Sequence, residues 1–135
     1  MEYQIKASSI SNDTATIQIK QSEINFGTSS TSSEELPNPA ELFLGAFASC
    51  MLKNVERFSS MMNFTYSKAT VNVSAKRTEK PLKMDDIDYK LTIYSSDENL
   101  NIPLLKKNIE KFGTIYNTVK LSCNITGIIE QKKTY

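Results

Sequence analysis

A long, mostly apolar helix is the feature that most constrains how this chain folds. The segment from Ala40 to about Met62 carries Phe, Leu, Ala, Met and Val side chains with few breaks. Asn38 is a favoured N-cap residue, Pro39 suits the first helical position, and Glu41 stands at the third. The apolar side chains spread well beyond one stripe, which predicts a helix that is buried on several sides. In a chain of 135 residues, such burial indicates a central helix shared with a partner subunit.

Alternation of apolar and polar residues predicts strands on both sides of this helix. Three short strands precede it, two longer ones follow, and one closes the chain, at 3–10, 13–21, 22–26, 65–78, 87–94 and 121 to about 130. Polar residues at 79–81 and 83–86 are typical of a turn between the two longer strands. A second helix opens at Pro103 and breaks at Gly113, and a short helical piece follows over 114–120. The order β-β-β-α-β-β-α-β predicts an α+β fold with antiparallel pairing, in one domain over 1–135.

The composition removes several classes of function. The chain has no histidine and two cysteines. It therefore has no Ser-His-Asp triad, no Cys-His dyad and no His-ligated zinc or haem site. Two thiols cannot complete a four-thiolate zinc or iron–sulfur site in one chain, and we expect neither a metal nor another cofactor.

Charge and hydropathy bear on partners and location. Lys and Arg number 16 and Asp and Glu 15, so the formal charge of +1 gives no electrostatic case for nucleic acid or an anionic membrane. No apolar run approaches the ~18 residues that span a bilayer. The first residues lack a basic region followed by an apolar stretch, and two cysteines do not make a disulfide framework. We therefore predict a cytoplasmic protein with reduced thiols.

Cys50 is the first candidate for chemistry. It lies in the middle of the long helix beside apolar residues, where a thiol is most often an inert, small hydrophobe. Lys53 and Arg57 follow at i+3 and i+7, close to the same helix face, and a cation there favours a thiolate. Both interpretations of Cys50 stay open at this point.

The remaining candidates have simpler explanations. Cys123 lies on a predicted strand with alternating apolar residues, which indicates a position facing the core. Glu41 is explained by helix capping, and the spacing of nine residues places it roughly opposite Cys50 around the helix. The acidic cluster at 85–88 lacks the spacing of a metal-binding loop and is typical of a solvated turn.

The segment 38–50, Asn-Pro-Ala-Glu-Leu-Phe-Leu-Gly-Ala-Phe-Ala-Ser-Cys, resembles the central helix signature of the OsmC/Ohr proteins. These are osmotically inducible protein C and organic hydroperoxide resistance protein. The order of strands and helices is similar to that family over nearly the whole chain, and 110–118 lies where the family carries its second motif. The resemblance implies an α+β homodimer, with central helices buried between two sheets and with intertwined subunits.

The resemblance also implies a chemistry. Active members of the family are thiol peroxidases, in which a helix cysteine attacks the peroxide and a second cysteine resolves the sulfenic acid to a disulfide. Cys50 matches the attacking cysteine, but Gly113 stands where the resolving cysteine is expected. Ala40 stands where the peroxidases carry a carboxylate, and Glu41 matches the next position. The family's activating arginine comes from the N-terminal strands or loop, whereas the first arginine of this chain is Arg57.

Two functional hypotheses follow from this incomplete match. In the first, the protein reduces small hydrophobic peroxides with Cys50 alone, an external dithiol regenerates the thiol, and Glu41, Lys53 and Arg57 are candidate supporting residues. In the second, the protein is a non-peroxidase member of the family that binds a small apolar or acyl ligand at the dimer interface.

Overall fold

A computed structural model describes residues 1–134 and divides the chain into two compact units, Met1–Phe43 and Leu44 onward. The elements of the first unit are short strands, and those of the second are longer strands and helices. One helix, α1 (Pro39–Met61), begins in the first unit and continues into the second. The single domain over 1–135 stays a prediction.

The first unit is a small antiparallel sheet. Its strands are β1 (Lys6–Ser9), β2 (Ala15–Ile19) and β3 (Ser22–Asn25), in that spatial order. Asn12 and Lys20 form the two connecting turns with φ angles of 59° and 55°. Polar residues suit these tight turns, and asparagine tolerates the left-handed conformation well. The three short strands that the alternation predicts are thus confirmed.

Helix α1 begins with a reciprocal cap. The Asn38 backbone N–H donates to Glu41 Oε1 at 3.1 Å, and the Glu41 backbone N–H donates to Asn38 Oδ1 at 2.9 Å. This capping box satisfies two backbone donors that the first helical turn leaves unpaired. The helix covers the predicted segment to within one residue at each end.

The second unit contains a three-stranded mixed sheet and two further helices. After α1 come β4 (Lys68–Glu79), β5 (Leu82–Tyr94), α2 (Ile102–Phe112), α3 (Thr114–Val119) and β6 (Ile125–Lys132). Strand β5 is central: it pairs antiparallel with β4 and parallel with β6. The α+β class with a long helix is confirmed.

Three local expectations differ from the structure. Strand β5 begins at Leu82, because residues 82–85 pair with the end of β4 in a long hairpin. The last strand begins at Ile125, because residues 121–123 form the turn that ends α3. Strand β6 is parallel rather than antiparallel to β5, because α2 and α3 form a crossover that returns the chain in the same direction.

The core of the second unit lies between α1, α2 and one face of β5. Alternate residues of a strand point to the same side, which turns four β5 side chains toward the helices. The fully buried side chains come from α1, β5 and α2: Phe47, Met51, Val55, Ile87, Tyr89, Leu91, Ile93, Leu105 and Ile109. Because these residues belong to three elements, the helix is fixed from the core side.

The other face of α1 is not covered within one chain. Gly45, Ala46, Ser49 and Lys53 are exposed, and Phe43 keeps 41% of its surface accessible. The predicted burial of α1 on several sides is therefore not reached by a single chain. Among residues 1–134, no helix has the length and apolar character needed to cross a bilayer.

Candidate functional site

Cys50 lies on the boundary between the two faces of α1. Phe47, one turn before it, is fully buried, whereas Ser49 beside it is exposed. The Cys50 side chain is half-buried, and its thiol is free. Cys50 is therefore packed against the core on one side and exposed to solvent on the uncovered side of the helix.

Asn54 is the polar neighbour of this thiol. It lies one turn further along α1 and is 7% exposed, so a side-chain amide is buried among the apolar residues of the helix. Its Nδ2 lies 2.9 Å from the Cys50 carbonyl oxygen and 3.6 Å from Cys50 Sγ. A carbonyl oxygen only accepts hydrogen bonds, and this contact identifies the atom as the amide nitrogen. The second N–H of the amide is then available to the sulfur.

Gly113 lies on the other side of this amide, at the junction of α2 and α3. A Cβ atom at this position would lie 3.5 Å from Asn54 Nδ2, 2.9 Å from the Ile109 carbonyl oxygen and 3.0 Å from Tyr116 Cβ. The absence of a side chain lets α2 and α3 meet closely, because the crowded contacts of a Cβ atom would be with Ile109 and Tyr116. Gly113, at the position of the family's second cysteine, is therefore a point of close backbone packing.

Cys123 lies in the turn between α3 and β6, and its predicted position on a strand is wrong. The Cys123 backbone N–H donates to the Val119 carbonyl at the end of α3, rather than to a neighbouring strand. Its half-buried Sγ donates to the Met84 carbonyl oxygen at 3.2 Å. A thiol in this role holds the turn against β5.

The candidate supporting residues lie at different places on α1. Glu41 forms the N-terminal cap described above. Lys53 is exposed one turn beyond Cys50, and the Arg57 guanidinium carbon lies 5.4 Å and 5.9 Å from the ring centroids of Phe58 and Phe112. Cation–π contacts of this kind hold a guanidinium at aromatic faces. A catalytic role for Glu41, Lys53 or Arg57 stays a prediction.

A cluster of two tyrosines and one glutamate supports the helix beneath Cys50. The Tyr89 hydroxyl donates to Glu110 Oε1 at 3.3 Å. Burial, then the nearby Glu110 carboxylate, raises the pKa of both Tyr89 and Tyr116, so both phenols stay protonated near neutrality. The Phe47 ring centroid lies 6.2 Å from that of Tyr89 and 5.9 Å from that of Tyr116. The cluster fixes the helix turn that precedes the thiol.

The acidic cluster at 85–88 is structural. Asp85 Oδ1 accepts the backbone N–H groups of Asp86 and Asn124 at 2.8 Å each, and Lys83 Nζ lies 3.5 Å from Oδ2. The two backbone donors, more than Lys83, hold the pKa of Asp85 below its usual range. Within residues 1–134, no three His, Cys, Asp or Glu side chains come together to hold a metal ion.

Comparison with known proteins adds a family to this geometry. The family model of the OsmC-like protein matches residues 31–127. No curated protein sequence matches the chain.

Solved structures share the fold at low sequence identity. An OsmC-like protein from Mycoplasma pneumoniae superposes with a TM-score of 0.86 at 17% identity, covering 100% of this chain and 99% of that one. The organic hydroperoxide resistance protein OhrB of Bacillus subtilis gives a TM-score of 0.64 at 15% identity, with 98% of each chain covered. An organic hydroperoxide resistance protein OsmC from Legionella pneumophila gives 0.64 at 15% identity, covering 98% of this chain and 97% of that one. At these identities the likeness shows the fold.

Proposed function

The chain belongs to the OsmC-like protein family, and on this premise we propose that it reduces organic hydroperoxides with Cys50 as its reacting thiol. One observation carries the proposal. The Cys50 thiol is half-buried at the edge of the uncovered face of α1, with a side-chain amide 3.6 Å from its sulfur. A nucleophilic thiol needs this combination of partial access and a polar neighbour that favours the thiolate.

The proposed reaction requires an external thiol. The Cys50 thiolate attacks the terminal oxygen of ROOH, the O–O bond breaks, and Cys50 becomes a sulfenic acid. The alkoxide RO⁻ leaves and takes a proton from water to form ROH. One thiol of a dithiol reductant then attacks the sulfenic sulfur, which releases water and forms a mixed disulfide. The second thiol of the reductant displaces Cys50, which restores the Cys50 thiol and leaves the reductant as its own disulfide.

The position of Cys123 supports this one-cysteine scheme. Its Sγ is engaged with the Met84 carbonyl in a turn, and no cysteine stands at Gly113. We therefore propose that the protein uses no internal resolving thiol. Lys53 and Arg57, on the turns after Cys50, are the cations that we propose to favour its thiolate, and Glu41 at the helix start is the carboxylate that we propose as a supporting residue.

We further propose that the protein is a homodimer in which a second copy covers the exposed face of α1. Gly45, Ala46 and Ser49 on that face are small, which permits close approach of another backbone. Nothing lies within 4 Å of a Cβ atom placed at Gly45 in the described chain. In the first unit, Ile5 and Ile10 are also about 60% exposed, and exposed apolar residues often lie in subunit interfaces.

The test is the intact mass of the protein after treatment with cumene hydroperoxide. We expect a gain of one oxygen, about 16 Da, that is captured by a sulfenic-acid probe at Cys50. Cys50→Ser is expected to lose this adduct, and Cys123→Ser to retain it. An unmodified Cys50 in excess hydroperoxide would rule out the peroxidase proposal.

A second candidate function is favoured by one observation, the absence of arginine before Arg57. A chain without the family's activating guanidinium can be a non-peroxidase member that binds a small apolar or acyl ligand at the dimer interface. Native mass spectrometry of the purified dimer tests this alternative. A co-purified ligand that is released on denaturation would support it. A ligand-free dimer with an oxidisable Cys50 would contradict it and favour the peroxidase proposal.

A further inference from the structure

Asn54, one helical turn beyond Cys50, carries a buried side-chain amide, and burial of an amide is unfavourable unless its hydrogen bonds are made. Asn54 is 7% exposed and lies beside the fully buried Met51 and Val55. Asparagine is also a weaker helix former than leucine or methionine. A leucine at this position would fill the same space at lower cost. The amide therefore calls for an explanation in terms of the groups that it contacts.

Two acceptors lie within reach of its nitrogen. The Cys50 carbonyl oxygen is 2.9 Å from Nδ2, and Cys50 Sγ is 3.6 Å from it. The carbonyl already accepts a helical backbone hydrogen bond, so the side-chain bond to it adds little that the helix needs. The contact with the sulfur has no such substitute. An amide carries two N–H groups, and the geometry gives one to the carbonyl and one to the sulfur.

The surroundings hold this amide in place. Its hydrogen bond to the Cys50 carbonyl oxygen fixes the orientation of the amide. The α2–α3 junction lies next to it, since a Cβ atom built on Gly113 would be in ordinary van der Waals contact with Nδ2, at 3.5 Å. A donor that is already oriented costs little reorganisation when the sulfur ionises.

We propose that Asn54 is a positioning residue for the Cys50 thiolate. Its Nδ2 donates a hydrogen bond that is weak to the neutral thiol and strong to the thiolate, which favours the ionised sulfur and fixes its direction. A neutral donor buried on the core side of α1 thereby does part of the work for which a cation is otherwise required. The inference rests on the proposed function only for its consequence in peroxide reduction, because the effect on the thiolate is measurable without peroxide.

The experiment uses the full-length protein with Cys123→Ala, so that Cys50 is its only thiol. Asn54→Leu removes both hydrogen bonds and replaces the amide with an apolar side chain that branches at the same atom. We expect its alkylation by iodoacetamide at pH 7 to slow about tenfold and its thiolate absorbance at 240 nm to fall. The melting temperature should stay equal or rise, which separates lost reactivity from lost structure.

Two further variants sharpen the assignment. Asn54→Ser introduces a hydroxyl, which has a single hydrogen and can donate it to the Cys50 carbonyl oxygen. No donor then remains for the sulfur, so we expect slower alkylation in this variant as well. Asn108→Leu is the matched control, because Asn108 Nδ2 donates to a different sulfur, Met62 Sδ, at 3.5 Å. This control should alkylate at the parental rate.

The outcomes distinguish this inference from the proposed function. Alkylation of both Asn54 variants at the parental rate would overturn the positioning role. If Asn54→Leu fails to fold, Asn54→Ser decides the question alone. If alkylation depends on Asn54 but cumene hydroperoxide leaves Cys50 unmodified, the positioning role stands and the peroxidase proposal fails.

Discussion

The two faces of α1 differ sharply in burial. The inner face carries Phe47, Met51 and Val55, each with no accessible surface, against β5 and α2. The outer face carries small and charged residues that are exposed in a single chain. Cys50 lies on the border between the two faces.

This contrast shows what one helix does for the site. The inner face fixes the position of Cys50, because aromatic and aliphatic side chains lock the turn before and the turn after it. The outer face leaves Cys50 partly exposed, and it is the surface that we propose a second copy covers. A thiol displaced by one residue in either direction would be either enclosed or unsupported.

The largest effect is expected from truncation of the inner face. Phe47→Ala removes the ring that packs on Tyr89 and Tyr116, and should lower the free energy of unfolding by about 3–5 kcal/mol. Urea denaturation measures the change. The matched control on the outer face is Ser49→Ala, for which we expect a change within about 0.5 kcal/mol. Equal costs for the two variants would refute the contrast between the faces.

The next effect tests whether a second copy covers the outer face. Gly45→Trp has room in the single chain, so its fold should persist. A large ring at a close helix contact costs about 1–3 kcal/mol, which should weaken the dimer about tenfold or more. Sedimentation velocity over a concentration series gives the dissociation constant. Lys120→Trp, an exposed position after α3, is the control, and unchanged dimer affinity in Gly45→Trp would remove α1 from the interface.

A smaller effect concerns the cation on the outer face. Arg57→Ala loses two cation–π contacts and should cost about 1 kcal/mol in urea denaturation. If Arg57 also favours the Cys50 thiolate, alkylation of Cys50 should slow in the same variant. Lys53→Ala provides the comparison, since Lys53 is exposed and one turn nearer to Cys50. A stability loss without a change in alkylation would assign Arg57 to structure alone.

The smallest effect concerns Asp97, which follows β5. Its carboxylate binds Thr65 in the segment just after α1. Its carboxylate accepts the backbone N–H groups of Asn99 at 2.8 Å and Thr65 at 2.9 Å, and these bonds hold its pKa below the usual range. A lowered folded-state pKa contributes stability above the unfolded value of about 3.9, and this contribution is lost as the pH falls through the folded pKa.

Asp97→Asn should therefore be less stable than the parent protein near pH 7, with a difference that shrinks below about pH 4. Urea denaturation at both pH values measures it. A difference that is independent of pH would show that the carboxylate charge does not matter.

Local patterns predicted a large part of the fold. The capping box at Asn38 and Glu41, the length of α1 and the alternation in β2 and β5 are short-range features, and each is confirmed. Cys50 was also identifiable as the thiol on a partly polar helix face. Its access to solvent was not, because exposure depends on which elements pack against α1.

The failure at the turn between the two longer strands comes from long-range pairing. Residues 83–85 belong to a strand because β4 pairs with them, and hydropathy carries no record of that partner. The alternation around Cys123 predicts a strand there, but residues 121–123 continue the end of α3 instead of joining β6. Periodicity does not single out Asn54, although a polar residue at i+4 from a cysteine in an apolar helix is a usable signal.

The sequence by itself determined the helix, its cap and the α+β class, because these depend on local periodicity and residue type. Only the tertiary structure decided that β6 is parallel to β5 and that the α2–α3 junction at Gly113 lies next to Asn54. Such contacts arise when segments far apart in the chain are packed together, and spacing along the sequence does not specify their distances.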